Sequence, residues 1–223
     1  MKTTEAKKKA AAVVRLLKEK YPAAECALKY EGEPWKLLVM GRLSAQCTDK
    51  RVNEVCQKLF EIYPDAASLA SASLEDVEEL IRSCGLFHTK ARDVVSECAV
   101  LTEIYDGELP SDMEELLSFP GVGRKIANLL RGDIFGLPAI VADTHCIRLS
   151  ARLGFTPSDC RDPNKVEKVL SALVEPEEQS DLCHRLVMLG RETCTAKAPD
   201  CPSCPLKEEC AAAAGAQKGK TDA

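Results

Sequence analysis

The stretch SDMEELLSFPGVGRKIANLLRGDIFG, residues 111–136, decides the fold. Apolar positions recur at helical spacing on both sides of FPGVG (Phe119 to Gly123), so the segment reads as helix, tight hairpin, helix. Glycine meets two needs in such a turn. It accepts backbone angles that a side chain forbids, and without a Cβ it lets backbone N–H groups approach a phosphate at the N-terminus of the next helix. A grip of this kind, made by the main chain of Gly121, Val122, Gly123 and Arg124, ignores base identity. A plain interhelical turn has the same spacing, and a basic residue after such a hairpin often only contacts phosphate. The hairpin alone therefore does not make Lys125 reactive.

Outward from the hairpin, the helical period continues almost everywhere, as in Val52, Val55, Cys56, Leu59, Phe60 and in Ala91, Val94, Val95, Cys98, Leu101, Tyr105. No alternating segment makes a strand, and the expected fold class is all-α. Pro34 opens a helix expected to run to Gln46, apolar on most sides and hence central, whereas the first helix carries one stripe of Val13, Leu16 and Leu17. Ser73-x-x-Asp76 and Ser111-x-x-Glu114 have capping-box spacing, and Asp162-Pro163 sets a cap before a proline at the first helical position. Gly85 and Gly190 read as stops.

The chain has 223 residues, 45% of them apolar, enough to bury one large core or two smaller ones. No run reaches the roughly 18 to 20 apolar residues of a membrane span, and the N-terminal residues lack a signal-peptide core, so a cytoplasmic protein is expected. In that compartment the 12 cysteines stay reduced. A net charge of -5 argues on its face against a phosphate-rich partner, yet five basic residues (Arg124, Lys125, Arg131, Arg148, Arg152) stand against two acids (Asp133, Asp143) between Phe119 and Arg152.

Asp143, in VADTH (Val141 to His145), is a carboxylate among apolar residues, costly unless it has a partner or a task. A helix cap is the simpler reading. The other is chemical: a partly desolvated amine at a helix N-terminus can act as a nucleophile, lysine forms Schiff bases with aldehyde-like sugar carbons, and a carboxylate stabilises positive charge developing on the sugar.

Cys194, Cys201, Cys204 and Cys210 have the spacing C-x6-C-x2-C-x5-C. Four thiols this close imply a metal centre. Structural zinc usually pairs two short knuckles, and the single C-x2-C flanked at unequal distances favours an iron-sulfur cluster over zinc. The other cysteines, Cys56 and Cys98 among them, read as small core residues.

Taken in order, LSAQCTD (Leu43 to Asp49), CGLFHTKA (Cys84 to Ala91), FPGVGRKIA (Phe119 to Ala127), VADTHCIRL (Val141 to Leu149) and the four-cysteine loop resemble the endonuclease III family of helix-hairpin-helix DNA glycosylases, over nearly the whole chain. The resemblance implies two helical lobes flanking a DNA-binding cleft. One is a six-helix barrel over residues 24–136, with the helix-hairpin-helix at about 111–136; the other is an iron-sulfur lobe of residues 1–23 and 137–212, followed by a disordered tail at 213–223. It implies Lys125 as Schiff-base nucleophile, Asp143 as essential carboxylate, and Cys194, Cys201, Cys204 and Cys210 as ligands of a 4Fe-4S cluster. Gln46 and Leu86 match residues that fill the gap left by a flipped nucleotide, and His145 falls near the target's phosphate. Without the resemblance, Leu86 reads as a buried contact, Gln46 as a helix-end hydrogen bond and His145 as a capping or core residue.

The implied activity is excision of oxidised pyrimidines and β-elimination at abasic sites in double-stranded DNA, by a monomeric, nucleoid-associated enzyme of base excision repair. Two alternatives have the same hairpin: a monofunctional adenine or mismatch glycosylase, and a non-catalytic DNA-binding module around structural zinc. The first typically lacks a lysine at the position of Lys125, and the adenine-specific members carry an acid where Leu37 to Gln46 has none. Two departures from the family stand out. Gly41-Arg42 interrupts an otherwise apolar helix, placing Arg42 in the base pocket or DNA groove, and Ile126 replaces a frequent threonine.

Overall fold

The computed structural model describes residues 3–214, and no strand occurs among them. The fold is all-α. By contacts, the chain divides into two compact units, one of residues 26–135 and one of residues 1–25 with 136–223.

In the unit of residues 26–135, α2 (Pro34–Leu43) is the central rod: Leu37, Leu38, Val39, Met40 and Leu43 are all at most 1% exposed. A helix apolar on every side must be enclosed. Around it stand α3 (Asp49–Ile62), α4 (Ala66–Ala70), α5 (Leu74–Ile81), α6 (Phe87–Tyr105), α7 (Met113–Ser118) and α8 (Arg124–Asp133). Cys56 and Cys98 are buried, as small apolar residues of this core. Truncating one of its leucines to alanine costs about 2–5 kcal/mol.

The other unit consists of α1 (Thr3–Lys20), α9 (Thr144–Leu153), α10 (Pro163–Leu173) and α11 (Gln179–Glu192), with the cysteine loop after α11. Within it Arg185, 2% exposed, reaches Asp181 at 2.6 Å, Glu178 at 3.2 Å and the Tyr21 carbonyl, so the buried charge is compensated and links α11 to the end of α1.

Several helix ends differ from the sequence reading. The Pro34 helix stops at Leu43 rather than Gln46, where Ser44 Oγ turns back onto the Gly41 carbonyl at 2.7 Å. Asp112, not Ser111, caps α7, because its Oδ1 accepts from both Glu114 and Glu115 main-chain N–H groups. Gly190 is no stop: α11 continues to Glu192, and a Cβ at 190 would overlap His145 and Arg148 of α9. Ser73 and Asp162 cap as expected. In the segment expected to be a tail, Ala213 and Ala214 are helical and Ala213 is buried; residues 215–223 lie outside the described residues.

Candidate active site and cysteine loop

Lys125 is the second residue of α8 and is exposed. The hairpin before it turns at Gly121, whose φ is +74°, and Gly123 starts the helix without a side-chain cap. Gly121 has a further reason to be glycine. A Cβ there would lie 2.6 Å from Arg42 Nε and 3.0 Å from Asp93 Cβ, so the hairpin rests directly on that pair. Val122 sends its side chain into the core, leaving only its main chain for a phosphate.

Arg42 is mostly enclosed within this unit. Its Nε and Nη2 both reach Asp93 Oδ2 at 2.6 Å, with the two side chains 13% and 22% exposed. The neighbouring departures explain each other: the absent side chain at Gly41 makes room for Ile126, whose Cγ2 would be 3.1 Å from a Cβ at 41.

Gln46 and Leu86, both exposed, have left-handed backbones with φ of +54° and +50°. Leu86 is 59% exposed, so it is no buried contact. Among the described residues, the other non-glycine residues with positive φ, Glu31 and Asp106, each precede a glycine in an ordinary turn. A non-glycine residue in this region costs of order 1–3 kcal/mol and persists where the surroundings over-determine it, commonly at functional sites.

Sequence reasoning missed three charged side chains on α6, two of them buried. Lys90 and Glu97 are 0% exposed, and Asp93 lies between them. The signal was present, since positions 90, 94, 97 and 101 have the spacing of a buried helix stripe. Neither Glu97 oxygen has a hydrogen-bond partner, and burial pushes this carboxyl well above its usual range, against the pull of Arg42.

In the other unit, Asp143 is the N-cap of α9, with Oδ1 accepting from Cys146 N–H at 2.7 Å. The cap fixes the orientation of the carboxylate on the first turn of the helix. His145, partly buried, packs on Gly190 with Nδ1 3.2 Å from Arg148 Nη2. Arg148 also donates to the Gly190 and Cys194 carbonyls, and Arg152 donates to Cys194 Sγ at 3.1 Å and to the Thr195 and Ala196 carbonyls. Two α9 arginines thus pin the start of the cysteine loop. Cys194, Cys201, Cys204 and Cys210 are free thiols lining one cavity of about 210 Å³. Burial, helped by the other three thiols, raises the Cys204 thiol. Among the described residues, no three His, Cys, Asp or Glu side chains are grouped so as to hold a metal ion.

An uncapped hairpin-helix with an exposed lysine, in an all-helical chain, is the architecture of a class. Residues 39–176 match the HhH-GPD superfamily of base excision DNA repair proteins. The chain is 42% identical to endonuclease III of Synechocystis sp. (strain ATCC 27184 / PCC 6803 / Kazusa) over 208 residues, covering 93% of this chain and 94% of that one. A solved structure of a trapped endonuclease III–DNA covalent intermediate superposes with a TM-score of 0.88 at 41% identity, over 95% of this chain and 98% of the other. A thermostable thymine-DNA glycosylase shares the fold at TM-score 0.83 and 19% identity, over 93% and 98% of the two chains. The chain belongs to the endonuclease III family of this superfamily. It is an enzyme of base excision repair, a DNA glycosylase with abasic-site lyase activity. No described helix is long and apolar enough to cross a membrane.

Proposed function

We propose that the substrate is double-stranded DNA containing an oxidised pyrimidine or an abasic site, and that Lys125 is the nucleophile. The carrying observation is the placement of Lys125, exposed one residue into the uncapped first turn of α8, beside a glycine hairpin that can hold phosphate through main-chain N–H groups. Arg124, exposed at the first position of α8, and the main chain of Gly121, Val122 and Gly123 complete the grip.

In the reaction, unprotonated Nζ bonds to C1′ as the bond from C1′ to the base breaks; the base leaves with the electron pair and takes up a proton. The C1′–O4′ bond then opens as O4′ takes one proton from the new ammonium, leaving a protonated Schiff base. Loss of a C2′ proton then expels the 3′ phosphate, and water hydrolyses the imine to restore the amine. Asp143, oriented by its cap, stabilises the positive charge that develops on the sugar. Gln46 and Leu86 occupy the space left by the extruded nucleotide, a role supported by their exposure and strained backbones, and His145 contacts the target's phosphate.

Cys194, Cys201, Cys204 and Cys210 are the ligands of a 4Fe-4S cluster. Four free thiols around one cavity suit a body larger than a single ion, and Arg152 holds Cys194 Sγ at its edge. The bound cluster would cross-link the loop through iron–thiolate bonds. The enzyme works as a monomer in the cytoplasm, on nucleoid DNA.

Lys125→Ala should reduce strand cleavage at a single abasic site at least about 10³-fold, the scale on which removing a catalytic nucleophile is felt. Wild-type cleavage by the variant would remove Lys125 from this role.

A further inference from the structure

The buried ammonium of Lys90 has no part in the bond-making and bond-breaking at the sugar, and it is fully enclosed at 0% exposure. Nζ donates to the Leu43 carbonyl at 2.8 Å and to the Cys84 carbonyl at 2.7 Å. Leu43 ends α2, and Cys84 ends the 3-10 turn Arg82–Cys84. Carbonyls at helix ends lack partners within their own helix and carry the negative end of its dipole, which a cation satisfies. One cation therefore joins the two segments just where each leaves its helix.

Both junctions lead directly into the candidate gap-filling residues. Three residues beyond Leu43 stands Gln46, and two beyond Cys84 stands Leu86, each exposed and left-handed. An apolar side chain would fill the space of Lys90 without the desolvation that pushes its pKa down. Such a residue could not tie two carbonyls together. Left-handed leucine and glutamine, in turn, need neighbours that leave them no alternative.

We propose that Lys90 is a positioning residue for base extrusion: its ammonium fixes the ends of both segments, so that Gln46 and Leu86 enter the duplex gap at a set spacing. The proposal rests on the reading that these two residues fill that gap. It predicts that duplex substrate alone feels the loss of Lys90, since an abasic sugar in single-stranded DNA offers no gap to fill.

The test compares Lys90→Met, of similar shape and without charge, with wild type and Leu86→Gly. Two single-turnover rates are measured: excision of an oxidised pyrimidine from a duplex, and cleavage of a single-stranded oligonucleotide bearing an abasic site. Lys90→Met should slow duplex excision roughly tenfold or more, a scale set by the up to about 10²-fold cost of a 1 Å misplacement. Its single-strand cleavage should stay at the wild-type rate, and the fluorescence rise of 2-aminopurine placed next to the lesion should slow in parallel with duplex excision. Lys90→Gln, which keeps a shorter donor, should lie between the two, and it takes the place of Lys90→Met if that variant does not fold. Unchanged duplex excision in Lys90→Met while Leu86→Gly loses it overturns the role of Lys90 and leaves the gap-filling reading intact. Equal losses on both substrates make Lys90 merely structural and also overturn it. Full duplex excision by Leu86→Gly removes the gap-filling reading itself.

Discussion

Glu97 is a carboxyl group enclosed in the core with neither oxygen hydrogen bonded, one turn of α6 from the Arg42–Asp93 pair. Burial raises its pKa well above the usual 4.5, so the native state holds a proton that the unfolded chain releases. A raised pKa contributes stability that is complete below the unfolded value and is lost as pH rises through the folded one. Glu97→Gln is neutral at every pH. It should match wild type near pH 4 and exceed it increasingly above, by up to about 1.4 kcal/mol per pH unit until the native carboxyl ionises. Urea midpoints from pH 4 to pH 8 measure this, and a difference that does not change with pH would show that Glu97 is not held protonated. The same residues mark where the sequence ceases to be legible. Arg42 and Lys90 are charged, and charged residues are ordinarily assigned to the surface; their enclosure depends on the Asp93 carboxylate and on backbone carbonyls that only the folded chain supplies. The hairpin before Lys125 was legible because its glycines stand at fixed offsets, a local signal, whereas the role of the lysine came only with the family resemblance.

At the scale of elements, the helices were readable and their ends less so. Ser111 and Asp112 are adjacent cap formers, and the helix takes Asp112 because a carboxylate can accept from two N–H groups at once. Gly190 stands after a periodic run and so resembles a terminator, whereas its cause is lateral: α9 packs so closely that His145 and Arg148 occupy the space of a Cβ. Helix propensity alone would favour Gly190→Ala by about 1 kcal/mol. The overlap should reverse that sign, giving a net loss of roughly 1–3 kcal/mol typical of overpacking. Thermal unfolding reads the outcome directly, and a stabilised Gly190→Ala would mean that α9 and α11 pack more loosely than these distances require. Gly41 is the corresponding case in the other unit, where the missing side chain admits Ile126; neither residue alone signals the other in the sequence.

For the whole molecule, fold and family were legible because short motifs recur in one order along nearly all of the chain, while the support beneath them was not. Net charge, at -5, would have misled if summed without regard to position. The cysteine loop spans both scales: its spacing predicts a cluster, and the structure adds the arginines of α9 that hold its first cysteine. Purified protein should therefore contain four iron atoms per chain. Cys204→Ser should lower iron content and reduce unfolding stability by about 2–5 kcal/mol, the range for losing a native cross-link. Stoichiometric zinc in place of iron would contradict the cluster. The lyase chemistry turns on one bond, between Nζ of Lys125 and C1′ of the damaged nucleotide. Borohydride reduction of the wild-type enzyme on DNA with a single abasic site, followed by proteolysis and mass spectrometry, locates that bond. A sugar remnant is expected on the peptide containing Lys125; its attachment to another lysine or to the N-terminal amine would contradict the assignment.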